Sequence, residues 1–337
     1  MGTEATRARI LPMLSVIIPT RNREEALRRT LRSLREQTLD PAAYELLVVD
    51  DGSDPPVSHE SKGGGPPIRV LRLRHGERSI ARNRGASEAS GQTLLFVDDD
   101  MLAGRNLVEA HAVAHVEWPG ALVIGAIALP PASLRTPFGR FRRSIESSAV
   151  PVARGPVSRR NFASAANMSI SRERFLALGG FDTSIVSSED QDLALRHSAA
   201  GGTIVYLPEA AAIHDDSATS LRAYCRRAEW GAEHTAPFCR RHPDWPENRE
   251  RRSVNGPVSW GADPPEQIAR KIGKQLLGQG PLLALLLAFI DLMEASAPSS
   301  RTLVMLYRLA LGTHLQRGFR KGWAATGRGT AKDEAAP

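Results

Sequence analysis

The sequence predicts an α/β fold, because short apolar runs alternate with helical patterns over its first hundred residues. Apolar runs at 14–18, 45–49, 68–73 and 93–97 are typical of buried strands, and helical patterns follow the first and third runs. A second observation is that acidic residues cluster directly after the second and fourth runs. Ligands of such sheets bind beyond the carboxyl ends of the strands. We therefore expect a functional site at that edge.

The first helix follows the strand at 14–18. Asn22 is placed to cap its free amides, and Glu25, three residues later, completes a capping box. Leu27, Leu31 and Leu34 recur on one helical face. We expect that face to pack on the sheet.

Beyond residue 120 the pattern predicts further elements, although the Arg-rich stretch from 132 to 160 shows no clear periodicity. Predicted strands are 121–128 and 203–207, predicted helices are 171–178, 190–200, 217–241, 268–293 and 301–318, and 243–265 is predicted to be a loop. The chain thus divides into a flexible tail at 1–13, an α/β domain at 14–220, a helical C-terminal region at 221–323 and a disordered tail at 324–337.

Composition excludes several classes of protein. The 337 residues include 42% hydrophobic residues, which excludes a wholly disordered chain, and only 2 cysteines, which excludes a disulfide scaffold. The longest apolar stretch, 281–293, contains Asp291 and is shorter than the roughly 20 residues of a membrane span. The N-terminal residues do not resemble a secretory signal. We expect a cytoplasmic protein, either free or bound peripherally at the inner face of the membrane.

The acidic clusters stand out in a chain of net charge +7. Asp98, Asp99 and Asp100 are consecutive, and Asp50 and Asp51 end a neighbouring predicted strand. Adjacent carboxylates repel one another unless they share a cation, and hard divalent ions prefer oxygen ligands. The pattern favours bound Mn²⁺ or Mg²⁺, which would neutralise a departing diphosphate. The alternative is a solvated acidic turn or a helix cap.

Several segments, in order along the chain, resemble the inverting nucleotide-sugar glycosyltransferases of family 2, which have the GT-A fold. They are 14–22 (LSVIIPTRN), 47–53 (LVVDDGS), 81–85 (ARNRG), 96–100 (FVDDD, similar to the metal-binding DXD element), 167–170 (NMSI), 179–182 (GGFD) and 189–193 (EDQDL). The resemblance covers about residues 14–220. It implies a Rossmann-like mixed, mostly parallel sheet flanked by helices, with a nucleotide-binding half at 14–100, an acceptor and sugar half at 101–220, and a helical C-terminal extension.

The resemblance also implies roles for matching residues. Asp51 matches the position at which family members have a carboxylate that accepts a hydrogen bond from the base, typically uracil. Asp100 and His214 match positions at which family members hold the metal. For His214, a structural role is the alternative. Residues implied to bind the nucleotide sugar are Pro19, Arg21, Asp51, Arg82, Asn83, Asp98 and Asp99.

Inverting transfer needs a carboxylate that takes the proton of the acceptor hydroxyl, and the resemblance places Asp190 there. An exposed aspartate has a pKa near 3.9, so we expect Asp190 to be ionised without strong perturbation. Glu189 is the substitute base, and Asp192 is either part of the site or a helix-capping acid. Side chains that either shape the pocket or serve as hydrogen-bonded scaffolding are Asn161, Asn167 and Asp182.

Together these features imply metal-dependent transfer of one sugar from a UDP-linked donor to an acceptor hydroxyl, saccharide or lipid-linked, in the synthesis of cell-envelope polysaccharide, glycolipid or another glycoconjugate. The segment 225–230 lacks the Gln and Arg of the processive members' motif, which favours one transfer per encounter. Two alternatives remain. A nucleotidyltransferase would need a glycine-rich phosphate loop after the first strand, and a non-catalytic anion-binding module would leave the acidic clusters without a role.

The partners of the C-terminal region are also open at this stage. Its apolar helices are followed by Arg317, Arg320 and Lys321. Such helices lie at a membrane interface, pair two copies of a chain, or cover the catalytic core. We expect no nucleic-acid partner, because no aromatic-rich nucleic-acid motif is present.

Overall fold

The structure, a computed structural model, describes residues 13–58, 64–148, 150–158, 161–216 and 219–333. The predicted N-terminal tail, apart from Met13, and the last four residues of the predicted C-terminal tail lie outside these ranges. The chain forms two compact units. The first comprises 1–130, 148–183 and 189–217, and the second comprises 131–147, 184–188 and 218–337. The second unit therefore includes segments that the sequence placed within the α/β domain, chiefly 131–147 and 184–188.

The described part of the first unit contains a nine-stranded mixed sheet. Its strands are β1 (Leu14–Thr20), β2 (Tyr44–Asp50), β3 (Ile68–Arg72), β4 (Thr93–Val97), β5 (Met101–Ala103), β6 (Leu122–Ala128), β7 (Gly155–Val157), β8 (Asn167–Ser171) and β9 (Ile204–His214). The order is β3-β2-β1-β4-β8-β6-β9-β5, and β7 pairs with β9.

The first four strands of that order, β3, β2, β1 and β4, are parallel, as are β6 and β9. Strand β8 is antiparallel to β4 and β6, and β5 and β7 are antiparallel to β9. The predicted α/β class with a mixed, mostly parallel sheet is confirmed. In this register Thr20 is level with Asp50, and Ile17 is level with Phe96, so the chain leaves β1, β2 and β4 at one edge.

Helices cover both faces of the sheet. The helices of the whole chain are α1 (Glu24–Arg35), α2 (Glu77–Glu88), α3 (Leu107–Glu117), α4 (Pro137–Ser148), α5 (Arg172–Ala177), α6 (Glu189–Ala199), α7 (Leu221–Arg241), α8 (Pro246–Asn255), α9 (Pro265–Leu277), α10 (Gly280–Ser296) and α11 (Arg301–Asp333). One face packs on α1 and α3, and the other packs on α2, α5 and α6. The predicted apolar face of α1, Leu27, Leu31 and Leu34, is buried. That packing confirms the position of the first helix.

The predicted capping box of α1 is wrong. The helix begins at Glu24, and Arg23 precedes it without a capping side-chain hydrogen bond. Asn22 has a left-handed backbone (φ 54°), and its Oδ1 accepts the Asp54 amide at 2.8 Å. Glu25 pairs with Arg29 one turn later. Asn22 therefore links the turn after β1 to the loop after β2 by a hydrogen bond.

The second unit contains α4 and α7 to α11. Its core is built from Phe138, Phe141, Ile290 and Tyr307, among others. Helix α8 lies in the segment 243–265 that was predicted to be a loop. That prediction is wrong because Pro246 occupies the first helical turn, where proline is tolerated, and the helix is too polar to show apolar periodicity.

Further segments also differ from the sequence pattern. The single helix predicted over 268–293 is divided into α9 and α10. The Arg-rich stretch after residue 131 contains α4 and the short strand β7, and α11 continues ten residues beyond 323, where the sequence predicted the helical region to end. In the described part of the chain, no individual helix has the length and apolar content of a membrane span. Only α9 and α10 taken together reach that threshold, and a 90° bend separates them.

Candidate active site

Acidic and basic side chains of the first unit meet at the edge where β1, β2 and β4 end. The turn after β1 carries Arg21 and Arg23, the end of β2 carries Asp51, and Asp98 follows β4 directly. Helix α2 and the start of α6 bring further side chains to this edge. The sequence-predicted acidic residues therefore lie at one edge of the sheet.

Asp99 is buried and points toward the β1 turn. Its carboxylate accepts hydrogen bonds from Thr20 Oγ1 at 2.7 Å and from Arg23 at 2.7 Å. Its backbone carbonyl accepts from Thr30 of α1 at 2.8 Å. Burial raises the pKa of Asp99 to about 6. These contacts make Asp99 a brace between the β1 turn and the β4 end.

Asp100 lies beside two basic side chains. Arg23 donates to its Oδ2 at 2.7 Å, and His214 Nε2 lies 3.2 Å from the same oxygen. Burial alone would raise the pKa of Asp100, but the contacts with His214 and Arg23 outweigh it and hold that pKa well below its ordinary value. Burial would likewise lower the pKa of His214, yet the hydrogen bond to Asp100 raises it. The two predicted metal residues are thus adjacent, at the end of β9 and the end of β4.

A buried arginine links the two halves of the site. Arg82 of α2 has a side chain 3% exposed and donates to Asp98 at 2.6 Å and to Glu189 at 2.9 Å. Arg78, one turn earlier, lies 3.3 Å from the same Glu189 oxygen. Gly85 allows α2 to approach β1 this closely, because a Cβ there would lie 2.5 Å from Ile17. Arg82 therefore connects the β4 end to the first turn of α6.

Asp190, the predicted base, follows Glu189 in the first turn of α6. Its Oδ1 accepts the Gln191 amide at 2.8 Å, and its Oδ2 lies 3.4 Å from the Ala165 amide. Burial, and then the charge of Glu189, raise the pKa of Asp190 above its ordinary value, against the opposing charge of Arg82. The expectation of an unperturbed aspartate is corrected, because this carboxyl is part-buried beside a second acid.

Asp51 forms the far side of the site, within a loop that follows β2. Its Oδ1 accepts the Gly76 amide at 2.7 Å, and its Oδ2 accepts the Glu77 amide at 3.1 Å and contacts His75 Nδ1 at 2.9 Å. Arg21 lies 2.6 Å from the other nitrogen of His75. A carboxylate oxygen has two lone pairs. Oδ1 therefore has room for one more donor.

Other sequence-predicted residues are engaged in scaffolding contacts. The Asn83 amide bonds the Phe181 backbone through both of its ends, at 2.8 and 2.9 Å. Fully buried Asn167 donates to the Ala126 and Ala210 carbonyls and contacts His111. Of the remaining candidates, Asp192 pairs with Arg196 at 2.7 Å, Pro19 lies half-buried in β1, and Asp182 and Asn161 are partly exposed.

Sequence reasoning missed Arg23, Thr20, His75 and Arg78. Thr20 lies within the motif 14–22 and Arg23 directly follows it, so their position in the turn after the first strand was the available signal. His75 precedes α2 and Arg78 lies in its first turn. No sequence spacing identifies them, because their contacts depend on how α2 crosses the sheet. They pair with Asp51 and Glu189 across long sequence distances.

The donor set at Asp100 suits a divalent ion. Among the side chains that the structure describes, no group of three or more His, Cys, Asp or Glu residues is arranged to hold a metal ion by itself. Asp100 and His214 nevertheless supply an adjacent carboxylate oxygen and an imidazole nitrogen, which Mn²⁺ accepts. These two residues could hold an ion whose remaining ligands are phosphate oxygens or water.

A mixed sheet with this acidic cluster at the ends of its parallel strands defines a GT-A-type α/β domain. Residues 15–146 match the family model described as Glycosyl transferase family 2, so this part of the chain belongs to that family. The family predicted from the sequence motifs is confirmed.

Two curated relatives are glycosyltransferases by name. The pre-mycofactocin glycosyltransferase of Mycobacterium tuberculosis is 30% identical over 236 residues, which cover 68% of this chain and 48% of the relative. The validoxylamine A glucosyltransferase of Streptomyces hygroscopicus subsp. limoneus is 36% identical over 120 residues, 34% of this chain and 26% of the relative. The chain thus spans about half the length of the mycobacterial relative and about a quarter of the Streptomyces relative.

A solved structure shares the fold. The mannosyltransferase PcManGT from Pyrobaculum calidifontis, in complex with GDP-Man and Mn²⁺, matches with a TM-score of 0.55 at 17% identity, over 91% of this chain and 87% of that one. The similarity supports the GT-A assignment of the architecture.

Proposed function

We propose that this protein transfers one sugar from a nucleoside-diphosphate sugar to an acceptor hydroxyl, with inversion at the anomeric carbon. The observation that carries the proposal is the continuous set of contacts from Asp98 through Arg82 to Glu189, which brings Asp190 to the same edge of the sheet as Asp100. A donor-binding acid cluster and a candidate base on one edge are what a direct displacement requires.

For the donor nucleotide, we propose a base site at Asp51. The free lone pair of its Oδ1 accepts a ring N–H, such as that of uracil, while Gly76 and Glu77 amides hold the carboxylate in place. UDP is the donor nucleotide that the sequence motifs imply. The solved mannosyltransferase holds GDP-Man, so GDP is the comparison nucleotide for the test.

For the leaving group, we propose a divalent ion held by Asp100 and His214. Bound there, Mn²⁺ or Mg²⁺ supplies Lewis-acid stabilisation of the departing diphosphate. Arg23, which contacts Asp100 from a half-exposed position, offers a second cation on the same side of the site. The Mn²⁺ in the solved mannosyltransferase agrees with this proposal.

For the acceptor, we propose Asp190 as the general base. The acceptor oxygen attacks the anomeric carbon, its proton passes to the Asp190 carboxylate, and the bond to the diphosphate oxygen breaks. Arg82 and Arg78 both form ion pairs with Glu189 beside it. Burial, and then the charge of Glu189, raise the pKa of Asp190 and make its carboxylate a stronger proton acceptor than an ordinary aspartate.

The test separates binding from turnover. Asp190→Asn should keep nucleotide binding in a thermal-shift assay and lose about 10²- to 10⁴-fold in nucleoside-diphosphate release. Asp244→Asn is a matched control, because that carboxylate is 89% exposed in the second unit. Full activity in Asp190→Asn refutes the base assignment. Release of pyrophosphate in place of nucleoside diphosphate supports the nucleotidyltransferase alternative.

The pH dependence supplies a second readout. An aspartate whose folded pKa is raised must still be ionised to act as a base, so kcat/KM should fall as the pH falls through that raised value, above the ordinary 3.8. Glu189→Gln removes the neighbouring charge and should move the acid limb of the profile to lower pH. An acid limb that does not move contradicts the coupling of these two carboxyls.

A further inference from the structure

Helix α10 of the second unit presents an uncharged apolar stripe to solvent. Leu282, Leu285, Phe289 and Leu292 recur every three or four residues and are 45 to 66% exposed. At 100° per residue these four side chains lie within one quarter of the helix circumference. The opposite side of α10, including Leu283 and Ile290, is buried in the core of the unit. The exposed stripe is therefore additional to the face that the fold requires.

The first turns of α11 extend this character and add positive charge. Val304 and Met305 are 39% and 70% exposed. Arg301 and Arg308 are exposed one turn before and one turn after them on the same face, at the spacing i, i+3, i+4, i+7. The core side of α11 carries Leu303, Tyr307 and Ala310. The start of α11 thus carries exposed apolar side chains flanked by two arginines, directly after the exposed stripe of α10 in the chain.

The charge of this surface indicates which kind of partner binds it. Within α10, the two acidic residues are committed elsewhere: Asp291 pairs with Arg222 of α7, and Glu294 accepts from Tyr307 at 2.5 Å. A symmetric pairing of two copies would set the arginines of each copy against a patch that offers them no acidic partner. An anionic lipid surface instead accepts both the apolar stripe and the flanking arginines.

We propose that the exposed face of α10 and the start of α11 dock this protein onto an anionic lipid bilayer. The helices lie in the interface and do not cross it, because α10 has 17 residues, fewer than the roughly 20 that a span needs, and is bent by 90° from α9. Leu285 and Phe289 enter the acyl boundary, while Arg301 and Arg308 contact lipid phosphates.

Vesicle co-sedimentation of the whole chain tests the proposal. The probes are vesicles of phosphatidylcholine alone and vesicles with about a third phosphatidylglycerol. Wild type should bind the anionic vesicles and lose binding as salt rises. Leu285→Glu with Phe289→Glu should weaken that binding by at least about tenfold. Arg301→Gln and Arg308→Gln should weaken it about fivefold each.

The control variant is Leu176→Glu, which places the same charge at a position 47% exposed in the first unit and should leave vesicle binding unchanged. Circular dichroism and the nucleotide thermal shift confirm that each variant is folded. Absence of wild-type binding to anionic vesicles overturns the proposal. A concentration-dependent dimer in sedimentation velocity also overturns the proposal if the Leu285 and Phe289 changes dissociate it, because this face then binds a second copy of the chain. Nucleotide binding is measured separately, so failure here leaves the proposed transferase activity untouched.

Discussion

Replacing Arg82 with methionine should strongly destabilise the first unit. The guanidinium joins Asp98 at 2.6 Å and Glu189 at 2.9 Å, and both Arg82 and Glu189 are nearly fully buried. Removing one partner of a buried ion pair costs about 3–5 kcal/mol, because the other charge is left without compensation. Asp98 is 31% exposed and can regain water, so we place the loss at the lower end, about 3 kcal/mol.

Urea unfolding followed by circular dichroism measures this loss. The matched control is Arg84→Met, which removes an arginine that is 53% exposed on the same helix and pairs with Glu88. That change should cost no more than about 0.5 kcal/mol. In Arg82→Met the buried Glu189 keeps only the longer contact with Arg78, so adding Glu189→Gln removes this poorly compensated charge and should recover part of the loss. Equal losses for Arg82→Met and Arg84→Met, or no recovery in the double variant, would refute the reasoning.

Two further predictions concern the stability of the first unit. Burial lowers the pKa of His111 to about 4 and of His115 to about 3, below the ordinary 6.5, so both stay neutral in the fold and the unfolded chain gains protons first as the pH falls. The stability that the two neutral histidines contribute is present above pH 6.5 and is lost below it. The drop in unfolding free energy from pH 7.5 to 5.5 should therefore be smaller in a variant with both His111→Gln and His115→Gln. An equal drop in wild type and variant would contradict the burial argument. Gly85→Ala should cost about 1–3 kcal/mol by overpacking α2 on β1, whereas Gly231→Ala, in a helix with open space, should be neutral or stabilising in the same urea titration.

Regular periodicity explains why much of the first unit was predictable. The strands at 14–20, 44–50, 68–72 and 93–97 are apolar runs bounded by polar turns, so both their existence and the edge at which they end follow from the sequence. The acidic cluster was found for the same reason, since it follows those runs directly. Helix α8 was not predicted, because its side chains are mainly polar and it lacks an apolar stripe.

Long-range partners were harder to predict than the acids themselves. Asp98 was identified, but its partner Arg82 and the link to Glu189, 107 residues away in the chain, depend on the packing of α2 against β1. Asp99 was expected to bind the nucleotide sugar, and the structure places it in contact with Thr20 and Arg23. The sequence shows three consecutive aspartates at 98–100 but not their partners. Asp98 contacts Arg82, whereas Asp99 and Asp100 both contact Arg23.

Calorimetric titration of UDP, with GDP for comparison, tests most directly whether the acidic edge binds a metal-bridged diphosphate. We predict that Mn²⁺ strengthens nucleotide binding by wild type at least about tenfold and that Asp100→Asn, which removes a carboxylate ligand, abolishes that gain. Asp244→Asn should behave as wild type. Nucleotide affinity that is unaffected by Mn²⁺ and by Asp100→Asn would contradict the proposed role of this edge.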